Sequence, residues 1–186
     1  MISVRENVFE TNSSSTHSLT ICKQSDYDDW KNDKVVFLSE HQGFHKVSDL
    51  YDLLVEETTK WMKDHEEYFQ KPECDNRYTL ITKSKIEAYM KMFDKDSFTK
   101  QLTELLEEFN GFIDQYGEDK YSEVFDDDKH IFSNPRDAAI WLCIFLDDSI
   151  STFDGYMESY SGYTMYETAK LDGVEVAAFG TYNYNY

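Results

Sequence analysis

The residue types best suited to chemistry sit together near the start of the chain, in the run Arg5-Glu6-Asn7-Val8-Phe9-Glu10-Thr11-Asn12-Ser13-Ser14-Ser15-Thr16-His17. Arg5 carries a planar fork of donors that can hold a phosphate. Glu10 and His17 can serve as general base and acid, one taking a proton from a hydroxyl while the other supplies one to a leaving oxygen. Asn12 and the hydroxyls and backbone N–H groups of Ser13, Ser14, Ser15 and Thr16 can cradle an anion, as turns of successive amides do. Such a set suits cleavage of a phosphodiester. In RNA that reaction needs no metal in principle: a deprotonated 2′-hydroxyl attacks the adjacent phosphorus, a protonated 5′-oxygen leaves, and a cation stabilises the phosphorane. Glu10, His17 and Arg5 fill those roles, each worth about 10² to 10⁴ in rate. Asn12 and Ser15 complete the expected catalytic set, with Ser13, Ser14 and Thr16 binding substrate. A metal-assisted variant using Glu6, Glu10 and His17 is less favoured, since nothing in their spacing selects it. No metal or other cofactor is therefore expected. The structural alternative is a loop whose Glu and Asn cap turns and whose serines satisfy the backbone.

The rest of the chain must position this run. Its 186 residues fit one domain, residues 1–186, since chains divide only beyond about 250 to 300 residues. Hydrophobic residues make up 40% and aromatics 16%, enough apolar area for a core, and two Pro and seven Gly argue against disorder. Within that domain an N-terminal strand-loop-strand motif over 1–25 is followed by a helical middle over 48–147 and a C-terminal hairpin over 166–181. Ile2 to Arg5 and His17 to Lys23 read as paired strands that bring Arg5 near His17. Ser25 with Asp28 resembles a helix start, and Val35 to Leu38 a buried strand.

Leu50, Leu53, Leu54, Thr58, Trp61, Met62, His65 and Phe69 recur at helical spacing behind a Ser48 cap, and Pro72 stops that helix. Lys83 to Phe93 is a shorter candidate. Phe98, Leu102, Leu105, Leu106, Phe109 and Ile113 form a stripe behind a Ser97 cap. Asn134-Pro135 opens a further helix whose apolar run, Ala138 to Leu146, reads as central and buried. Asp172-Gly173 between Thr168 to Leu171 and Val174 to Phe179 is a type I′ hairpin signal. Tyr182 to Tyr186 alternates Tyr and Asn, and a frayed tail is favoured over an edge strand. The order gives an α+β fold: a small mixed or antiparallel sheet from N- and C-terminal strands, packed against four to five helices.

Charge constrains the partner. Asp plus Glu number 37 against 18 Lys plus Arg, a formal net charge of -19. A general nucleic-acid binder needs cations to displace condensed counterions, so free DNA or RNA is disfavoured and a basic protein surface favoured. The balance is uneven: residues 1–25 are formally neutral, whereas 104–131 hold ten acids and two lysines. The cysteines, Cys22, Cys74 and Cys143, show no Cys-x-x-Cys spacing, so neither a disulfide framework nor a zinc site is suggested. With neither a signal peptide nor a membrane span apparent, a cytoplasmic location and no membrane partner are expected. The oligomeric state is left open.

The run Asn7-Val8-Phe9-Glu10-Thr11-Asn12-Ser13-Ser14-Ser15-Thr16-His17-Ser18-Leu19, followed by Tyr27 and Trp30, resembles the opening of small proteins carried by phages and mobile elements of Gram-positive bacteria. Within that group it is similar to anti-CRISPR proteins that inhibit type II Cas9, some by truncating or disabling the single guide RNA. The likeness covers about a tenth of the chain. It implies a Cas9 inhibitor whose N-terminal residues form the active site, with Cas9 and its guide RNA as partners. An acidic protein would bind free RNA poorly but could dock on the basic channel of a Cas9-type partner, so partner-dependent cleavage is the more sensible form. The alternative is a non-enzymatic acidic mimic of nucleic acid, blocking such a groove through carboxylates between Glu104 and Asp128.

Other features weigh less. His41 and His45 flank Gly43 but lack the Glu of a zinc-protease signature. His65 reads as a core or boundary residue and Asp126-Asp127-Asp128 as a solvated turn. Trp30, Trp61 and Trp141 read as core, and Tyr156, Tyr160, Tyr163 and Tyr166 as a wet surface or interface belt.

Overall fold

The structure is a computed structural model that describes residues 15–40, 43–64, 94–114, 139, 142, 143, 146, 148–159 and 164–184. Strand β1 (Ser15–Lys23) runs without a break into α1 (Gln24–Lys31), followed by β2 (Val36–Leu38), β3 (Gly43–His45) and a 3₁₀ turn (Val47–Asp49). Next come α2 (Leu50–Asp64), α3 (Lys95–Glu108), β4 (Phe112–Ile113) and β5 (Ile150–Ser151), then α4 (Phe153–Ser159) and the hairpin of β6 (Thr164–Leu171) and β7 (Val174–Tyr184). The α+β class is as the sequence indicates. There are two sheets, however, both antiparallel: one ordered β1-β7-β6 and one ordered β3-β2-β5-β4.

The hairpin forms where Asp172-Gly173 predicts it. Both turn residues have positive φ, 49° and 84°, as a type I′ turn requires. β7 continues to Tyr184, so the frayed tail expected from Tyr182 onward is corrected: alternating Tyr and Asn suits a strand. β7 is moreover the central strand, with β1 paired along its length from Ser15 opposite Tyr184 to Lys23 opposite Val176.

The four-stranded sheet divides two cores, and β2 shows how. Alternate strand residues point to opposite faces. Val36 and Leu38 join α2, α3 and the helical residues Ala139, Leu142, Cys143 and Leu146, whereas Phe37 joins Tyr27, Trp30, Tyr156, Ala177 and Phe179. Residues 139, 142, 143 and 146, helical and buried, fall at the three- and four-residue steps of one helix face, and the other residues of the run from Ala138 to Leu146 lie outside the described residues. Leu50, Leu54, Thr58 and Met62 form the buried face of α2, and Phe98, Leu102, Leu105 and Leu106 that of α3. Each fully buried Leu or Phe stabilises by about 1.5–3 kcal/mol over its exposed state.

Several helix starts are corrected. α1 begins at Gln24, capped by Lys23 without a side-chain bond, so Ser25 is not its cap. Ser48 lies inside the 3₁₀ turn rather than at the start of α2. Asp94, not Ser97, caps α3, accepting from Ser97 N at 2.8 Å. The predicted elements over Ile2 to Arg5 and Lys83 to Phe93, the helix start at Asn134-Pro135 and the continuation of α2 through His65 to Phe69 lie outside the described residues.

Candidate functional site

The structure describes the last part of the N-terminal run. Ser15, Thr16 and His17 are the first residues of β1, opposite Tyr184, Asn183 and Tyr182 of β7. Opposed residues of an antiparallel pair have Cα atoms about 4.5–5.5 Å apart, so this end of the run is framed by backbone pairing. Arg5, Glu10, Asn12, Ser13 and Ser14 lie outside the described residues, as does the expected strand over Ile2 to Arg5. The neighbour that the structure gives His17 is β7. Tyr182, Asn183 and Tyr184 therefore join the candidate site, which sequence reasoning missed by treating them as a tail. Their types matter, since Tyr stacks on bases and Asn offers both a donor and an acceptor to a base edge.

β7 is held by the aromatic core beneath it. Phe179, fully buried, packs against Trp30 at 5.1 Å, Phe37 at 5.3 Å and Tyr27 at 5.6 Å between ring centroids. Trp30 Nε1 donates to Ser151 O at 3.2 Å, tying α1 to the second sheet. Tyr27 also stacks on Tyr166 of β6, centroids 4.5 Å apart, and Gln24 Nε2 donates to the Tyr166 hydroxyl at 3.0 Å. The three strands of the first sheet are thus clamped to α1. Trp30 is core, as its sequence context indicates. Tyr156, expected on a wet surface or interface belt, is instead 5% exposed and sits against Trp30 and Phe37.

The described cysteines are poor nucleophiles. Burial, with Asp26 adding to it, pushes the Cys22 thiol up to about 12. Burial also raises Cys143, with Asp148 second. Since the thiolate is the reactive form, cysteine chemistry is disfavoured at both. Tyr27 is likewise pushed up to about 12, first by burial and then by Tyr166.

A polar knot joins the end of β2 to the start of β5. Asp148, fully buried, accepts from Ser39 Oγ at 3.0 Å and Glu40 N at 2.6 Å. Ser149 N donates to Ser39 Oγ at 3.2 Å, and Ser149 Oγ to Asp114 Oδ1 at 3.4 Å. These bonds satisfy turn backbone and fix two strand ends. Among the described residues no three His, Cys, Asp or Glu are grouped to hold a metal ion.

Charge is uneven over the described residues. Lys23 and Lys170 against Glu167, Asp172 and Glu175 leave the sheet of β1, β7 and β6 at a formal -1, in a chain of -19. α1, packed on that sheet, adds Asp26, Asp28 and Asp29 against Lys31. Further exposed carboxylates are Asp52, Glu56 and Asp64 on α2, and Glu104, Glu107 and Glu108 on α3. Glu104 is met by Lys100 at 3.8 Å. Among the described residues no helix is long and apolar enough to cross a membrane. No protein-family model, curated protein or solved structure matches the chain.

Proposed function

We propose that the chain inhibits a Cas9-type nuclease and acts on its guide RNA through the N-terminal run. The observation that supports this best is that Ser15, Thr16 and His17 stand at the head of a strand whose own sheet is formally -1 in a chain of -19, at the end of β1 away from its junction with the acidic α1. Polyphosphate meets less repulsion at that end than the acidic helices exert. Tyr182, Asn183 and Tyr184, in register beside the run, supply residue types that hold unpaired bases. The acidic remainder turns free RNA away and favours a partner whose own basic channel presents the RNA. Arg5, Glu10, Asn12, Ser15 and His17 carry the cleavage, and Ser13, Ser14 and Thr16 bind the phosphate.

The test incubates the protein with Cas9 and guide RNA and resolves the RNA on a denaturing gel. The expected result is a shortened guide, with shortening lost on His17→Ala or Glu10→Ala. An intact guide would overturn the ribonuclease reading. The second reading is an acidic mimic that blocks a DNA-binding groove, favoured by Glu104, Glu107 and Glu108, which line up along exposed α3. It predicts inhibition with an intact guide, insensitive to His17→Ala and relieved by charge reversal on α3.

A further inference from the structure

β6 is exposed along its entire length, from Thr164 to Leu171, and among the described residues no strand pairs with its outer edge. A bare edge of eight residues is a template for another strand, and proteins normally blunt such edges with Pro, bulges or charges. β6 has neither Pro nor bulge, its register with β7 being continuous from Thr164 opposite Thr181 to Leu171 opposite Val174, and its two charges, Glu167 and Lys170, are of opposite sign.

The turn fixes which backbone groups face outward. A type I′ turn is closed by a bond between its flanking residues, here Leu171 and Val174. Alternation along the strand then turns Leu171, Ala169, Glu167 and Met165 toward β7 and Lys170, Thr168, Tyr166 and Thr164 toward the open edge.

The two faces of this sheet also differ. Tyr166, Phe179 and Thr20 stand opposite one another on the face that packs on α1. The opposite face carries the exposed Leu19, Met165, Leu171 and Val174, with Leu171 56% and Met165 40% exposed, beside Lys23 and Glu167. Apolar side chains of this size clustered on an exposed sheet mark an interaction surface.

We propose that β6 pairs edge to edge with β6 of a second copy of this chain, related by a two-fold axis through Thr168. The inference is independent of the function proposed above. A second copy is the occupant that the side chains fit. In this register Thr168 faces its own equivalent, Tyr166 faces Lys170, Met165 faces Leu171 and Glu167 faces Ala169. The ammonium of Lys170 thereby meets the side of the Tyr166 ring that Tyr27 does not cover. Met165 and Leu171 extend one apolar strip across both copies. Moving the axis to Glu167 would set two carboxylates directly opposite, which is unfavourable. The sheet's formal -1 allows the approach that a surface sharing the -19 evenly would oppose. The product is one six-stranded sheet.

The full chain is tested by sedimentation velocity across a dilution series from high micromolar downward, beside Thr168→Pro. That substitution deletes an N–H facing the open edge and leaves the bonds to β7 in place. The parent is expected to dissociate on dilution. The variant should bind itself about tenfold more weakly or worse, since symmetry counts each lost bond twice. Its thermal midpoint should match the parent's at concentrations where both are monomeric. A parent that is monomeric throughout, or a dimer indifferent to Thr168→Pro, overturns the proposal. Should the proline variant fail to fold, oxidative cross-linking decides: Thr168→Cys should give a covalent dimer beyond the parent's background and Thr164→Cys should not. Equal cross-linking by the two overturns it.

Discussion

Gly155, in the first turn of α4, lies directly against the backbone of Gly111, with no room for a Cβ between them. Gly111 has a φ of +79° and ends the turn after α3, and its carbonyl accepts from Thr152 N at 2.7 Å. Two separated segments therefore approach backbone to backbone, which only glycine permits at this distance.

Gly155→Ala should accordingly be among the more damaging single substitutions here. A Cβ at 155 meets main-chain atoms of Gly111 and Asn110, which cannot rotate away as a side chain can. Overpacking of this kind costs about 1–3 kcal/mol, and backbone obstruction places this case at the upper end. Urea denaturation followed by tryptophan fluorescence measures it. A loss under about 0.5 kcal/mol, the range of an ordinary surface change, would show that α4 can shift freely.

Trp30 should separate packing from hydrogen bonding. The ring is 0% exposed, touches Phe37, Phe153, Tyr156 and Phe179, and donates to Ser151 O. Trp30→Ala is expected to cost about 3–5 kcal/mol. Trp30→Phe keeps part of the ring contact but leaves the Ser151 carbonyl without this donor, for an expected cost of about 1–3 kcal/mol. Equal losses for the two variants in urea denaturation would mean that the indole N–H, not the ring, dominates.

Alkali should weaken the clamp on the first sheet in a defined window. Cys22 and Tyr27 are raised from ordinary values of 9.0 and 10.0 to about 12. Both groups are neutral when protonated, so the unfolded chain loses their protons first as pH rises. Their contribution is intact below pH 9, falls as pH climbs through 9 to 12, and is exhausted above that. Denaturation midpoints measured from pH 8 to 12 should show the decline. Cys22→Ser should remove its earlier part and Tyr27→Phe its later part. Alkylation of Cys22 near pH 8 should also run on the order of 10²–10³ slower than for an ordinary thiol, in proportion to its scarce thiolate.

The hairpin was legible because Asp-Gly is the residue pair that a type I′ turn demands. α2 and α3 were legible from their stripes. The cap of α3 was misplaced because Asp94 and Ser97, three apart, are both capping types. The structure has them bond each other, with Asp94 taking the backbone N–H of Ser97. α4 escaped notice because Phe153-Asp154-Gly155-Tyr156 has poor helix propensity. Thr152 Oγ1 accepting from Gly155 N at 3.2 Å and burial of Tyr156 hold it instead. β3, β4 and β5 span two or three residues each, too few for a period to register. Of the candidate site, the β-branched and apolar residues of Thr20 to Cys22 revealed the strand. Its partner was hidden because pairing across more than 150 residues leaves no local trace.

That pairing gives the protein a built-in order of assembly. β1 leaves the ribosome well before β7, the strand it must join, since Lys23 pairs with Val176 and Ser15 with Tyr184. Contacts so distant in sequence close late in folding. The N-terminal run thus acquires its frame only after β7 has emerged. A nascent chain, or one clipped by a protease before Val174, would display the run on an unpaired strand. Synthesis of β7 is in this sense a checkpoint, and loss of β7 should disable the N-terminal run as surely as a substitution within it.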